Sequence, residues 1–289
     1  MSTTLRRSLL YVPGDREAML AKAPQRGADG LILNLEDAVA AIYKELARET
    51  VARALQTVDF GPAEVIVRIN GLETDTGYRD LLAIAALGPH AILLPKTRSA
   101  EEVRFAAWTI GRLESLHGAA ADAIAIMCMI ESAAGVVAAA EIAACHPRVT
   151  ALVFGAADFC AEIGCTPAAD DPALLHGLNQ VVLAARAAGI DAIDAPHMRL
   201  DDPAGLARGA EMARNLGFAG KSAIHPAQIP AINAAFSPTT EQIIWARRVI
   251  EALGDDEARA GATLLDNQLI ETPHLRRARR ILAAERRAA

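Results

Sequence analysis

The stretch IAIMCMIESAAGVVAAAEIAA, residues 124–144, contains the structural unit that repeats along this chain. It consists of the apolar run Ile124–Ile130, the acid Glu131, and then the segment Ala133–Ala144, which is rich in residues with high helix propensity. A short apolar run followed by a longer helical segment is typical of a buried parallel strand and its crossover helix. The unit therefore predicts an α/β fold.

Apolar or β-branched runs recur along the chain and give eight strand candidates. They are Ser8–Val12, Gly30–Leu35, Val65–Asn70, Ala91–Pro95, Ile124–Ile130, Ala151–Phe154, Asp191–Asp194 and Lys221–Ile224. Helices are predicted between them, for example at Asp15–Gln25, Tyr43–Thr57, Glu101–His117, Ala133–Ala144, Ala173–Ala188 and Pro203–Leu216. Eight such units close a barrel more naturally than an open sheet, and no glycine-rich nucleotide motif follows a strand. We predict a (β/α)8 TIM barrel over residues 1–235, with an open sheet as the alternative.

The residues after the eighth unit predict a C-terminal helical extension over 236–289. Ser237–Gly254 is expected to be a helix that begins with Ser237 and Pro238. The stretch Leu275–Ala289 contains six arginines with apolar residues at nearly helical spacing, which indicates a solvated amphipathic helix. We expect this extension to act as a lid and an oligomer arm.

Composition and charge exclude several classes of protein. Hydrophobic residues make up 52% of the 289 residues, but no run approaches the roughly 18 apolar residues that a membrane helix needs. The N-terminus lacks a secretory apolar region, so we expect a cytoplasmic protein. A formal net charge of -6 argues against nucleic acid as a partner. The four cysteines form no C-x-x-C pair and are expected to be reduced core thiols.

Two acids at the predicted strand ends suggest a metal site. Polar residues at the carboxyl ends of barrel strands face one rim, where active sites of this fold lie. Glu131 ends the fifth strand and Asp158 follows the sixth, and neighbouring strands are about 4.8 Å apart. Two carboxylates completed by water and substrate oxygens suit Mg²⁺. The alternative is that each acid only stabilises the start of a local helix or turn.

Arg68 interrupts the apolar run Val65–Ile69, where a guanidinium is costly unless an acid pairs with it. Its planar fork matches a carboxylate in a bidentate way, so a 2-oxo acid or a thioester oxygen is a natural ligand. The alternative is an ion pair with Glu36 or Asp37 at the end of the second strand, and both can hold at once. Lys96 and His225 follow other strands at the same rim and are secondary candidates.

Seven short motifs occur in order along nearly the whole chain. They are RSLLYVPG (7–14), LEDAV (35–39) followed by Lys44, VRIN (67–70), LPK (94–96), Ile130-Glu131, FGAAD (154–158) and GKSAIHP (220–226). In these motifs the chain resembles the citrate lyase beta-subunit family, whose relatives include malyl-CoA, citramalyl-CoA and β-methylmalyl-CoA lyases. The resemblance implies a Mg²⁺-dependent enzyme that cleaves or forms the carbon–carbon bond between an acyl-CoA and a 2-oxo acid.

The resemblance also implies roles for individual residues. Glu131 and Asp158 match the family's magnesium ligands, and Arg68 matches its substrate-binding arginine. Glu131 is also a substrate-site candidate, as are Glu36 and Asp37, which end the second strand beside Arg68. Arg16 and Lys22 on the first helix are implied as partners of the CoA phosphates. The chain departs from many relatives at Asn34, where they carry an aspartate.

The resemblance further implies a homotrimer or a hexamer in which the C-terminal arm completes a neighbouring site. Glu271, where many relatives have an aspartate, would be the acid/base that moves the proton at the thioester α-carbon, and Asp266 is the fallback. Two alternatives stay open: a catalytic subunit that acts on an acyl group held by a carrier protein, and a barrel that binds acyl-CoA or oxo acid without turnover.

Overall fold

Eight parallel strands close into a barrel in the N-terminal part of the chain, with β1 pairing to β8 to complete the ring. The structure is a computed structural model that describes residues 4–165, 172–257 and 261–288. The strands are β1 Ser8–Pro13, β2 Gly30–Asn34, β3 Glu64–Arg68, β4 Ala91–Leu94, β5 Ala125–Ile130, β6 Val149–Phe154, β7 Asp191–Asp194 and β8 Gly220–Ala223. The predicted TIM barrel and all eight strand positions are confirmed.

Helices follow the strands and surround the barrel. They are α1 Glu17–Lys22, α2 Lys44–Thr57, α3 Asp75–Ala85, α4 Ala100–His117, α5 Ala133–Ala144, α6 Ala156–Ile163, α7 Pro172–Ala188, α8 Pro203–Leu216 and α9 Ile229–Phe236. Local sequence sets their ends: α8 begins after Asp202, whose side chain accepts a hydrogen bond from Gly205 N, and it ends at Gly217, whose φ of 106° favours glycine.

Alternate residues of the strands point inward and fill the barrel. Leu9, Ile32, Ile66, Leu93 and Ile193 belong to this interior cluster and are completely buried. Burying an aliphatic side chain of this size contributes about 1.5–3 kcal/mol to stability. The interior is therefore a packed core, so ligands must bind at the ends of the strands.

The amino-terminal mouth of the barrel is closed by a buried ion network. Arg6 donates from Nε and Nη2 to the two carboxylate oxygens of Glu64, each at 2.7 Å, and from Nη1 to Asp191 at 3.1 Å. The Thr150 carbonyl oxygen also accepts from Nη1. The charged and polar groups at this end of the barrel therefore pair with one another.

The chain divides into two compact units, Met1–Asn233 and Ala234–Ala289. The second contains α10 (Thr240–Leu253), a hairpin of β9 (Thr263–Leu265) and β10 (Gln268–Ile270), and α11 (Thr272–Ala288). Its core is formed by Val249, Leu253, Ile270 and Leu275, among others.

One expectation for the second unit was wrong in detail. The helix predicted to begin at Ser237 begins at Thr240, because Thr239 and Gln242 form a capping box there. β9 and β10 are joined by Asp266 and Asn267, which both adopt positive φ, as a tight two-residue hairpin turn requires.

No helix in the described residues is long and apolar enough to cross a membrane. The four cysteines form no disulfide with one another, and Cys128 and Cys160 are buried.

Candidate functional site

A cavity of about 650 Å³ opens at the carboxyl ends of the strands, the end where the sequence predicted the site. Arg68, Asp158 and Asp37, all proposed from the sequence, are among its lining residues, together with Asn34 and Tyr11. The barrel thus brings side chains from β1, β2, β3 and the start of α6 to one opening.

Arg68, the last residue of β3, is held by neighbours on two sides. Its Nε donates to Asn34 Oδ1 at 2.8 Å, and its Nη2 lies 3.0 Å from Glu36 Oε2. The guanidinium lies over the Tyr11 ring, 5.0 Å from its centre, as a cation–π contact. Burial raises the pKa of Tyr11 to about 12, so this ring stays a neutral phenol. The ion pair considered as an alternative is present, and it fixes the guanidinium at the cavity.

Asn34 orients Arg68 although its side chain carries no charge. Its Oδ1 accepts from Arg68 Nε and also from Glu36 N, at 3.0 Å. An amide oxygen accepts these bonds as a carboxylate would, without adding a charge. The departure from aspartate therefore still allows Arg68 to be oriented.

Glu36 lies between two cations. Arg68 Nη2 and Lys96 Nζ each lie 3.0 Å from one of its carboxylate oxygens, and the N–H of Asp37 donates to it at 2.8 Å. Burial alone would raise the pKa of Glu36, but the charge of Arg68 and these hydrogen bonds outweigh it and lower the pKa. Burial and the adjacent Glu36 raise the pKa of Asp37. Glu36 is therefore the anion that balances the cationic groups of the site.

Lys96 links this network to Glu131. Its backbone adopts the left-handed conformation, with φ of 51°, which is uncommon for a residue other than glycine. In that conformation its N–H donates to Glu131 Oε1 at 2.6 Å, while its side chain reaches Glu36. Backbone strain of this kind costs about 1–3 kcal/mol and is common at functional sites.

Glu131 is buried where β5 ends, beside a position that lacks a side chain. A Cβ on Gly155 would lie 2.5 Å from Glu131 Oε2, so only glycine leaves room for the carboxylate. Burial raises the pKa of Glu131 to about 7, and the carboxylates of Asp158 and Glu36 act in the same direction. A carboxylate crowded by other acids favours a cation beside it.

The donor set suits a hard divalent cation. Asp158 is exposed to the cavity in the first turn of α6, and Glu131 supplies a second carboxylate from the neighbouring strand. No group of three or more potential ligands occurs in the described part of the chain. Two carboxylates with the remaining positions filled by water or ligand oxygens match the preference of Mg²⁺.

Other residues proposed from the sequence lie outside this cluster. Arg16 and Lys22 are exposed on and beside α1, and neither is among the described residues that line the cavity. In the second unit, Glu271 is exposed after β10, and its N–H donates to His274 Nδ1. Asp266 forms an ion pair with Arg248 at 2.6 Å, which lowers the pKa of the acid.

His225, a secondary candidate, has a structural role. Its Nδ1 accepts a hydrogen bond from Ala227 N at 3.2 Å, and the imidazole thereby caps the short helix Pro226–Gln228. One residue at the cavity that sequence reasoning did not find is His197, in the loop after β7, and Tyr11 is another. His197 comes three residues after the end of β7. This position is a weak signal, because many loop residues follow a strand just as closely.

Comparison with known proteins gives consistent matches. Residues 7–226 match the model of the family described as HpcH/HpaI aldolase/citrate lyase. The chain is 40% identical to a (3S)-malyl-CoA thioesterase of Cereibacter sphaeroides, over 96% of this chain and 93% of that protein. It is 37% identical to a citrate lyase subunit beta of Leuconostoc mesenteroides subsp. cremoris, over 96% and 92%.

A solved structure also matches the whole chain. The protein CitE from Mycobacterium tuberculosis, in complex with magnesium, acetoacetate and coenzyme A, is 33% identical, with a TM-score of 0.81 and 99% of each chain covered. These matches confirm the resemblance drawn from the motifs.

Proposed function

Since the chain belongs to the HpcH/HpaI aldolase/citrate lyase family, we propose that it is a magnesium-dependent carbon–carbon lyase. Its substrate would be a 3-hydroxyacyl-CoA such as citryl-CoA, citramalyl-CoA or malyl-CoA, cleaved to or formed from acetyl-CoA and a 2-oxo acid. The observation that carries this proposal is the fixed Arg68 guanidinium in a cavity that also presents Asp158, with the buried Glu131 carboxylate packed against Gly155 in the cavity wall.

Glu131 and Asp158 would hold the metal. Magnesium bound there would supply Lewis-acid polarisation of the oxo-acid oxygens. Arg68 would donate N–H bonds to the substrate oxygen on which negative charge develops, and its preset orientation avoids reorganisation during the reaction. Glu36 and Asp37 would act on the substrate through the placement of Arg68 and Lys96, which they hold by ion pairs.

Arg16 and Lys22 are the proposed partners of the CoA phosphates. Both side chains are exposed and cationic, which agrees with contact to a mobile anionic ligand. Neutralising both at once is expected to raise KM for the CoA ester while leaving kcat in place.

Proton transfer at the thioester α-carbon needs a positioned acid/base, and we assign it to Glu271. The residue would come from another copy of the chain in a cytoplasmic homotrimer or hexamer. The change Glu271→Gln is expected to slow turnover about a hundredfold. Exchange of acetyl-CoA α-protons with deuterated solvent should fall in parallel. If both rates persist there and vanish in Asp266→Asn, the role belongs to Asp266.

The test of the function is a cleavage assay on citryl-CoA, citramalyl-CoA and malyl-CoA, with and without Mg²⁺. Release of oxaloacetate, pyruvate or glyoxylate that stops when the metal is chelated is the expected result. Tight binding of these esters with no product in any condition would instead support a non-catalytic barrel. Activity only on an acyl carrier protein would support the subunit alternative.

A second candidate, hydrolysis of the thioester, is favoured by the relative that is named a (3S)-malyl-CoA thioesterase. The two reactions have different products. The lyase keeps the carbon–sulfur bond and releases an oxo acid, whereas hydrolysis breaks that bond and releases free CoA thiol. The same assay distinguishes them when thiol and oxo acid are measured together.

A further inference from the structure

The loop between β7 and α8 brings a histidine to the cavity that the lyase mechanism does not use. His197 comes three residues after Asp194, the last residue of β7, and lines the cavity with Arg68 and Asp158. Its side chain is 21% exposed, yet its Nε2 is shielded from solvent and makes no hydrogen bond within the described residues. A partly buried imidazole at a cavity wall is a candidate for proton transfer.

An aspartate faces that buried nitrogen. Asp202 Oδ2 lies 3.5 Å from His197 Nε2, a separation typical of catalytic pairs that tighten only when substrate binds. Asp202 Oδ1 accepts from Gly205 N at 2.8 Å, because Asp202 caps α8. This hydrogen bond lowers the pKa of Asp202 and keeps its carboxylate ionised. The carboxylate is therefore fixed in place and charged behind the imidazole.

The backbone of His197 is also anchored. The buried Gln228 donates from Nε2 to His197 O at 2.7 Å, and its Oε1 accepts from Ile224 N at 3.0 Å. This side chain ties the loop after β7 to the end of β8. The histidine is thus anchored at the cavity through its backbone, with the Asp202 carboxylate facing its Nε2.

We propose that His197, oriented by Asp202, is the general base of a thioester hydrolysis in this cavity, acting on the CoA ester of a small hydroxy acid. The inference rests on the proposed function for its substrate class. An imidazole with a carboxylate at one nitrogen can take a proton at the other, as in other hydrolytic sites. Nδ1 is the nitrogen left for that task.

The reaction consumes one water. The water oxygen forms a bond to the thioester carbonyl carbon while one of its protons passes to His197. The carbon–sulfur bond then breaks, the sulfur leaves with the bonding electron pair, and it takes up the proton from His197 as the CoA thiol. The new carboxylic acid ionises to solvent. A thiol with a pKa of about 8.5 is a good leaving group, so the base that activates water is the group the reaction most needs.

The test separates hydrolysis from carbon–carbon cleavage in one reaction. Full-length protein is incubated with (3S)-malyl-CoA and Mg²⁺ in ¹⁸O-water, and malate with one ¹⁸O is measured by mass spectrometry beside glyoxylate. Direct hydrolysis labels malate, whereas hydrolysis of acetyl-CoA after cleavage does not form malate. In His197→Gln we expect the ratio of labelled malate to glyoxylate to fall about a hundredfold.

Two further variants test whether the effect of His197→Gln is specific to the proposed base. Asp202→Asn keeps the helix cap, because asparagine caps as well as aspartate, and should also lower the ratio of labelled malate to glyoxylate. His176→Gln, at an exposed position of α7, is the matched control and should change neither product.

Three results would overturn the proposal: unchanged malate formation in His197→Gln, an equal fall of both products, or no labelled malate from the wild-type protein. Failure of the lyase function looks different. It would appear as labelled malate without any oxo acid, and it would leave the role of His197 supported.

Discussion

Replacing Arg68 by lysine tests whether the guanidinium recognises substrate or only pairs with Glu36. The change keeps the charge but removes the planar fork, and a lysine ammonium cannot occupy the Asn34 and Glu36 contacts while also pointing a donor into the cavity. Loss of one charge-assisted hydrogen bond costs about 1.5–3 kcal/mol, which as lost transition-state stabilisation lowers kcat/KM by about 10-fold to 150-fold.

We expect Arg68→Lys to lower the stability of the protein much less than it lowers activity. Lys96 Nζ lies 3.0 Å from Glu36, so the buried carboxylate keeps a cationic partner in Arg68→Lys. We expect the free energy of unfolding to fall by about 1 kcal/mol, the contribution of one ordinary hydrogen bond. Chemical denaturation followed by circular dichroism measures this loss, and oxo-acid release at saturating Mg²⁺ measures the change in kcat/KM.

The matched control is Arg6→Lys at the opposite mouth of the barrel. Arg6 contacts both oxygens of Glu64 and also Asp191, so its replacement should lower stability more than Arg68→Lys and leave kcat/KM of the folded protein near wild type. Wild-type kcat/KM in Arg68→Lys would refute substrate recognition by Arg68. So would a loss of stability larger than that of Arg6→Lys, because the residue would then be chiefly structural.

Three further changes follow from the structure. Glu131→Gln removes one of two carboxylate charges at the proposed metal site and should weaken Mg²⁺ binding at least about tenfold by titration calorimetry; an unchanged affinity would contradict the assignment. Gly155→Ala places a Cβ 2.5 Å from Glu131 Oε2 and should lower turnover, whereas Gly209→Ala, where a Cβ meets nothing within 4 Å, should not. Glu114 accepts from Arg148 Nη1 at 2.8 Å, and although burial acts to raise the pKa of Glu114, its hydrogen bonds lower it. The stability from this pair is therefore complete above the unfolded glutamate pKa of about 4.3 and lost as pH falls through the folded value, so Glu114→Gln should destabilise at neutral pH and converge with wild type in acid.

Most barrel strands could be predicted because they are short, largely apolar runs that are buried on both faces, as in β2 and β4. Asp191–Asp194 was placed from the sequence with the bounds that the structure has. The helices inferred from the sequence did not include α6, which has eight residues and begins after Gly155 without a side-chain cap. Short helices that lack a capping residue carry little local signal and depend on packing.

The site could be predicted as far as strand ends determine it. Arg68, Glu36 and Asp37 come from adjacent strands, and parallel strands bring their carboxyl ends to one rim. The conformation of Lys96 could not be predicted, since its positive φ is stabilised by a hydrogen bond to Glu131, 35 residues away in the sequence. His197 escaped notice for a similar reason, because Gln228, which anchors its backbone, lies 31 residues away in the short helix after β8.

A charged residue beside an apolar strand does not by itself reveal which mouth of the barrel binds ligand. Arg6 and Arg68 are both buried and both paired with a glutamate, and what separates them is the acceptor that each guanidinium nitrogen meets. Every nitrogen of Arg6 donates to an oxygen of Glu64, Asp191 or Thr150. Nη1 of Arg68 instead meets the thioether sulfur of Met129 at 3.6 Å, a weak acceptor. A ligand oxygen near Nη1 of Arg68 would accept a stronger hydrogen bond than the Met129 sulfur does. The binding end of this barrel is therefore distinguished by a guanidinium N–H that has only a weak acceptor, more than by charge or burial.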